Sequence, residues 1–189
     1  LAAAKIHLPL AHVEAGLRSG DRGMPEEINR LATDAITDLF FVTEPSGHEA
    51  LLREGHPADR IHFVGNVMID NLFHQIQRLE ANPASGGRGA ALRAELGSTP
   101  YGVVTLHRPS NVDHPEKLAG MVGVLRTLAK DLPLVFPVHP RTRASLERHR
   151  IELGPNIRTT PPLSYMEFLS LWKDAQIILT DSGGLQEES

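Results

Sequence analysis

The sequence predicts an α/β protein of parallel sheets covered by helices on both faces, in two successive series. Three observations predict it. Short all-apolar runs such as Leu39-Phe40-Phe41-Val42 suit strands buried within a parallel sheet. Those runs alternate with segments of helical spacing along the whole chain, which is βαβ punctuation. A glycine-rich stretch from Asn82 to Gly89 interrupts the alternation once, marking a flexible segment near a domain boundary.

The elements follow in order. The apolar run from Ile6 to Val13 reads as a buried strand ending at Glu14. Pro25 suits the first turn of a helix running to about Thr37, with Glu26 and Glu27 placed where the helix dipole favours negative charge. After the strand Leu39–Val42, Thr43 and Ser46 are candidate caps for a helix that carries Leu51 and Leu52 and stops near Gly55. Ile61 to Val64 is a strand, ended by Gly65-Asn66. From Val67 to Leu79 the spacing is helical, with Ile69, Leu72, Phe73, Ile76 and Leu79 on or near one face.

Beyond residues 82–89 comes a short helix, Ala90 to Leu96, and a second series. Its strands are expected at Tyr101–Leu106, Leu134–Val138, Ile157–Thr159 and Gln176–Leu179. Its helices are expected at Pro115–Lys130, Thr142–Arg150 and Tyr165–Lys173. The result is the end of one Rossmann-like domain joined to most of another. The expected divisions are residues 1–68, a connecting helix and linker over 69–98, and residues 99–189.

Composition narrows the function. Of 189 residues, 41% are hydrophobic, enough for a real core, and only 5% are aromatic, so that core is aliphatic. A formal charge of -4 with no basic cluster argues against nucleic acid as a partner. With no cysteine there is neither a disulfide nor a thiolate metal site. No signal peptide or long apolar run is apparent, so a cytoplasmic protein without a membrane partner is expected. The chain opens without methionine and closes just after a glycine turn, as an interior piece of a longer protein would.

Several groups have the makings of a site. Glu14 directly follows an apolar run and precedes Gly16. A carboxylate there is awkward for folding unless something pairs with it. Arg18 or Arg30 as partner would make it a structural ion pair; a free carboxylate would be functional. Glu26 and Glu27 have the plainer alternative of a solvated first turn. His107 and His139 each end an apolar strand on the loop side, facing one crevice, and imidazole exchanges protons near neutral pH. Arg108 supplies fixed positive charge suited to phosphate. Neither histidine has a second ligand at helical spacing or an acidic partner in its motif, so no metal is expected. Thr180-Asp181-Ser182-Gly183-Gly184 is a strand–turn–helix junction whose backbone N–H groups suit a diphosphate. Glu188 lies one turn further on, where a carboxylate can grip ribose hydroxyls. A tight turn capped by Ser182 is the alternative.

Taken together, the motifs resemble one family. His12-Val13-Glu14-Ala15-Gly16-Leu17-Arg18, Pro25-Glu26-Glu27-Ile28-Asn29-Arg30, Gly65-Asn66-Val67-Met68-Ile69-Asp70, Thr105-Leu106-His107-Arg108-Pro109-Ser110-Asn111-Val112-Asp113 and Thr180-Asp181-Ser182-Gly183-Gly184-Leu185-Gln186-Glu187-Glu188 occur in this order. The set is similar to non-hydrolysing UDP-N-acetylglucosamine 2-epimerases from about Lys5 onward. The resemblance implies two Rossmann-like domains of glycosyltransferase-B type, both incomplete here. It implies inversion at C2 to give UDP-N-acetylmannosamine, by elimination and re-addition of UDP, in cell-surface polysaccharide biosynthesis. Catalytic roles fall on Glu14, Glu26 and His107; UDP contacts fall on Phe168, Ser182, Gly183, Gly184 and Glu188; Arg108 and His139 fall near a regulatory UDP-sugar site. The implied partners are the UDP-sugar and, at full length, a second subunit of a homodimer, with no cofactor and no metal. The alternatives are a hydrolysing epimerase, a glycosyltransferase of the same fold, a non-catalytic nucleotide-sugar sensor, and an epimerase of diacetamido uronic acid sugars. About half of such a protein is absent, so residues 1–189 alone are expected to be inactive.

Overall fold

The computed structural model describes residues 1–189, and the expected parallel α/β architecture holds. The chain forms two compact units, Leu1–Asn71 and Leu72–Ser189.

The first unit contains α1 (Ala2–Lys5), β1 (Ala11–Val13), α2 (Pro25–Asp34), β2 (Leu39–Val42), α3 (Pro45–Arg53) and β3 (Ile61–Phe63). Its sheet is parallel in the order β1-β2-β3. Phe40 and Val42 of the central strand are fully buried against Ala15, Leu51 and Ile61. The first strand is far shorter than the apolar run from Ile6 to Val13 suggests. The alanines before it form the helical turn α1, the chain reverses at His7 (φ 58°), and pairing with β2 begins only at Ala11. Ile6 and Leu8 are left 67% and 54% exposed. Helix α2 stops at Asp34, short of Thr37, because the chain turns there: Ile36 and Thr37 bond the carbonyls of Thr33 and Asp34. Neither Thr43 nor Ser46 caps α3; Glu44 holds the cap position without a side-chain bond and Pro45 begins the helix.

Helix α4 (Val67–Ala81) leads from the first unit into the second. Leu72 and Leu79 are its buried seam, whereas Phe73, expected near the same face, is 60% exposed. One residue on from Leu72 is a rotation of about 100°, enough to leave the seam.

The second unit continues with α5 (Gly87–Leu96), β4 (Gly102–Thr105), α6 (Pro109–Val112), α7 (Pro115–Leu128), β5 (Leu134–Pro137), α8 (Pro140–Arg148), β6 (Ile157–Thr160), α9 (Tyr165–Trp172), β7 (Ile177–Thr180) and α10 (Gly183–Glu188). Successive residues of β4 face opposite layers, as a pleated strand requires. Val103 packs with Leu169, Leu171 and Trp172, and Val104 with Leu118, Val122 and Phe136. The glycine-rich stretch is not an open loop. Pro83–Gly86 form a tight helical turn, and α5 begins at Gly87. Its glycines serve close packing: a Cβ on Gly89 would stand 1.7 Å from the Glu167 carbonyl oxygen of α9.

The four strands are parallel in the order β6-β5-β4-β7. From β4 the chain builds outward through β5 and β6, then returns to the other side of β4 as β7. The strand order therefore reverses between β4 and β7, and a crevice opens at such a point beyond the carboxyl ends of the strands.

Candidate functional site

The loops after β4 and β7 meet at that reversal. Thr105 and Thr180 close the two strands with their hydroxyls 2.7 Å apart. Beyond them, Asp181 reaches back to the loop of β4. Its carboxylate accepts the backbone N–H of His107 at 3.1 Å and of Arg108 at 2.8 Å, and the side-chain N–H of Asn111 at 3.1 Å. Burial works against this charge, but the N–H groups of Arg108, Asn111 and His107 outweigh it and hold the carboxyl below the usual range. His107 Nδ1 lies 3.0 Å from Asp181 Oδ1. An ionised carboxylate only accepts, so Nδ1 carries the hydrogen and Nε2 is left for a ligand.

Several predicted residues of this unit lie beside that pair. His107, His139 and Phe168 line one cavity of about 180 Å³ with Pro137, Pro162 and Leu163, and the two imidazole rings are 6.2 Å apart. His139 caps α8 by accepting the Arg141 N–H. The Arg108 side chain does not extend toward His139: its Nε donates to the Asp181 carbonyl at 2.5 Å, and a Cβ on Gly183 would lie 3.5 Å from its Nη2. Ser182 caps α10, which starts at Gly183-Gly184, and Glu188 ends that helix with Tyr165 Oη 3.4 Å away. Burial pushes the Glu188 carboxyl up, the Tyr165 hydroxyl opposes it, and Glu187 adds to it. Larger hollows of about 430 and 610 Å³ flank Leu153-Gly154 but contain none of the predicted residues.

Two supporting residues lie outside the predicted set, although Ser164-Tyr165-Met166-Glu167 carries the Ser-x-x-Glu signature of a capping box, which the structure forms. Glu167 accepts from Arg88 and from the backbone and hydroxyl of Ser164. The Arg88 guanidinium and those Ser164 bonds bring its carboxyl down to about 2. Arg88 also donates to the Pro162 carbonyl, fixing one wall of the cavity to α5.

In the first unit, Glu14 has a left-handed backbone (φ 69°), rare for a residue with a side chain. The N–H groups of Glu14 and Ala15 both donate to the Phe41 carbonyl, at 2.9 and 3.1 Å. The Glu14 carboxylate has no hydrogen bond or ion pair with the protein. Arg18 is not its partner. That guanidinium lies 2.7 Å from Asp34 and 2.7 Å from Glu54. The two glutamates of α2 divide in role. Glu26 is exposed and likewise unpartnered, whereas Glu27 is buried and accepts from Ser19 N, Ser19 Oγ and Gly20 N. The Ser19 N–H leads in holding the Glu27 carboxyl low, against its burial.

No group of three His, Asp or Glu side chains is arranged to hold a metal ion, and no helix is long and apolar enough to cross a membrane.

Comparisons with known proteins extend this geometry. The family profile described as UDP-N-acetylglucosamine 2-epimerase matches residues 1–189. The UDP-N-acetylglucosamine 2-epimerase of Methanocaldococcus jannaschii is 39% identical over 195 residues, covering 100% of this chain and 52% of that protein. A UDP-2,3-diacetamido-2,3-dideoxy-D-glucuronate 2-epimerase of Pseudomonas aeruginosa is 38% identical over 192 residues, covering 100% of this chain and 51% of that one. A crystal structure of the M. jannaschii enzyme in complex with UDP-GlcNAc and UDP matches with a TM-score of 0.80 at 38% identity, over 98% of this chain and 52% of the other. The chain thus spans about half the length of the relatives it matches.

Proposed function

The chain belongs to the UDP-N-acetylglucosamine 2-epimerase family, and on that premise we propose that the whole protein converts UDP-N-acetylglucosamine to UDP-N-acetylmannosamine without hydrolysing it. The C2 proton is weakly acidic, so a positioned base is required. In this reading Glu14 and Glu26 are the acid/base pair. One takes the C2 proton as the bond from C1 to the diphosphate oxygen breaks, leaving a 2-acetamidoglucal and UDP. The other returns a proton to the opposite face of C2 as the diphosphate oxygen re-forms its bond to C1. No water is consumed and no group is lost.

His107 acts on the leaving diphosphate through Nε2, since Nδ1 is tied to Asp181. Ser182, Gly183 and Gly184 bind the diphosphate, Glu188 the ribose, and Phe168 the uracil. Ser182, Gly183 and Gly184 directly follow β7 at the strand reversal, and Phe168 lines the same cavity as His107, which supports this. Arg108, which donates to the Asp181 carbonyl, and His139, which lines the same cavity as His107, are assigned to a second, regulatory UDP-sugar.

One observation carries the reading: Glu14 keeps an unpartnered carboxylate on a left-handed backbone. Such conformations persist where the surroundings enforce them, and they cluster at active sites. The test is to incubate the whole protein with UDP-N-acetylglucosamine and follow the sugar by NMR. Accumulating UDP-N-acetylmannosamine with no free UDP supports the reading. Free N-acetylmannosamine with stoichiometric UDP would make it a hydrolysing epimerase instead. The 38% identity to the Pseudomonas enzyme favours a diacetamido uronic acid sugar as the second candidate substrate. Because the chain spans about half its relatives' length, the activity is assigned to the whole protein and none to residues 1–189 alone.

A further inference from the structure

Asp34 is an unexpected residue where it stands. It ends α2, where the helix dipole disfavours negative charge, and it is fully buried, where desolvation disfavours it again. Three donors compensate. His12 Nδ1 lies 2.5 Å from Oδ1, while the Gly16 N–H and Arg18 Nη2 lie 3.1 and 2.7 Å from Oδ2. All three belong to the segment that contains Glu14, and they lie on both sides of it.

We propose that Asp34 is a positioning residue for Glu14, its buried carboxylate clamping the chain before and after Glu14 so that the left-handed turn is held. The turn is closed from the other side as well, since a Cβ on Gly16 would stand 2.3 Å from the Gly47 carbonyl oxygen. The clamp has a further consequence. Glu26 begins the helix that Asp34 ends, so one rigid helix of about 12 Å between those two residues sets the spacing of both acid/base carboxylates. Glu27, two turns before Asp34 on the same buried face, holds the continuation of the loop at Ser19 and Gly20. The inward face of α2 thus grips the loop at two points. This inference rests on the acid/base reading of Glu14.

The test uses the whole protein and Asp34→Asn, which keeps the size of the side chain but offers an N–H where an acceptor is needed. The expected result is a folded protein whose kcat falls about 100-fold, the scale of a misplaced reacting group. KM for UDP-N-acetylglucosamine and the Kd for UDP should stay within about twofold, since ground-state binding is untouched. If Asp34→Asn does not fold, His12→Leu removes one donor from the clamp, and the same split between kcat and KM is expected. An unchanged kcat in either folded variant would overturn the role of Asp34. So would a loss of UDP binding in step with kcat, which marks general structural damage. If the unaltered protein exchanges no C2 proton with solvent, the catalytic reading of Glu14 fails instead, whatever the variants do.

Discussion

His107 and Asp181 face each other across the ends of two neighbouring parallel strands, with Nδ1 of one 3.0 Å from Oδ1 of the other. The carboxylate decides which ring nitrogen carries the hydrogen, and three further N–H groups keep the carboxylate in place. Asp181→Asn puts a donor beside Nδ1 and favours the wrong tautomer. Losing a hydrogen bond to a charged group costs about 1.5–3 kcal/mol, so kcat should fall about 10–100-fold. Steady-state kinetics on the folded variant check this.

Glu14→Gln removes a proton-transfer group without altering shape. A drop in kcat of about 10²–10⁴ is expected, with UDP affinity retained because the assigned UDP contacts lie in the other unit. Calorimetric titration with UDP beside the kinetics separates the two effects. Retained turnover would remove Glu14 from the mechanism.

Glu167 predicts acid sensitivity. Its carboxyl is at about 2 in the folded protein, chiefly through the Arg88 guanidinium and then the Ser164 N–H, against an ordinary value near 4.3. A folded-state value below the unfolded one gives stability that is present above about pH 4.3 and lost as pH falls toward about 2. Glu167→Gln should therefore lower the melting temperature at pH 7 and lessen its fall across that acid window. Equal slopes for both proteins would contradict this.

Gly89→Ala tests the contact between α5 and α9. The added methyl would meet the Glu167 carbonyl oxygen at 1.7 Å, so the helices must part. A destabilisation of about 1–3 kcal/mol is expected for such overpacking, measured by denaturant unfolding. A neutral result would mean that this stretch is loosely held.

These residues also show what the sequence could reveal. Leu39–Val42 is a strand in the structure with the bounds its apolar run suggests, because burial in a parallel sheet leaves a continuous signature. The junction after β7 is legible through its paired glycines. The run from Ile6 to Val13 is longer than its strand because hydrophobicity does not reveal where pairing starts, and here it starts only at Ala11. In residues 82–89, glycines that let two helices touch look in sequence like glycines that loosen a loop. Asp34, and the role of the Asp181 carboxylate within its glycine junction, stay hidden for a related reason. An acid at a helix end or in a turn reads as solvated, and the partners of Asp181 lie 70 to 74 residues away, in the loop and short helix after a strand made its neighbour only by the order of crossovers. In the sequence Glu26 and Glu27 are equal candidates for a dipole-complementing role; only the fold shows that Glu27 is turned inward onto Ser19 and Gly20.

Proton exchange at one carbon tests the account most directly. The whole protein is incubated with UDP-N-acetylglucosamine in heavy water, and C2 of the recovered nucleotide sugars is examined by NMR. The account predicts deuterium at C2 in UDP-N-acetylmannosamine as it forms. Product that keeps its original C2 hydrogen would contradict it.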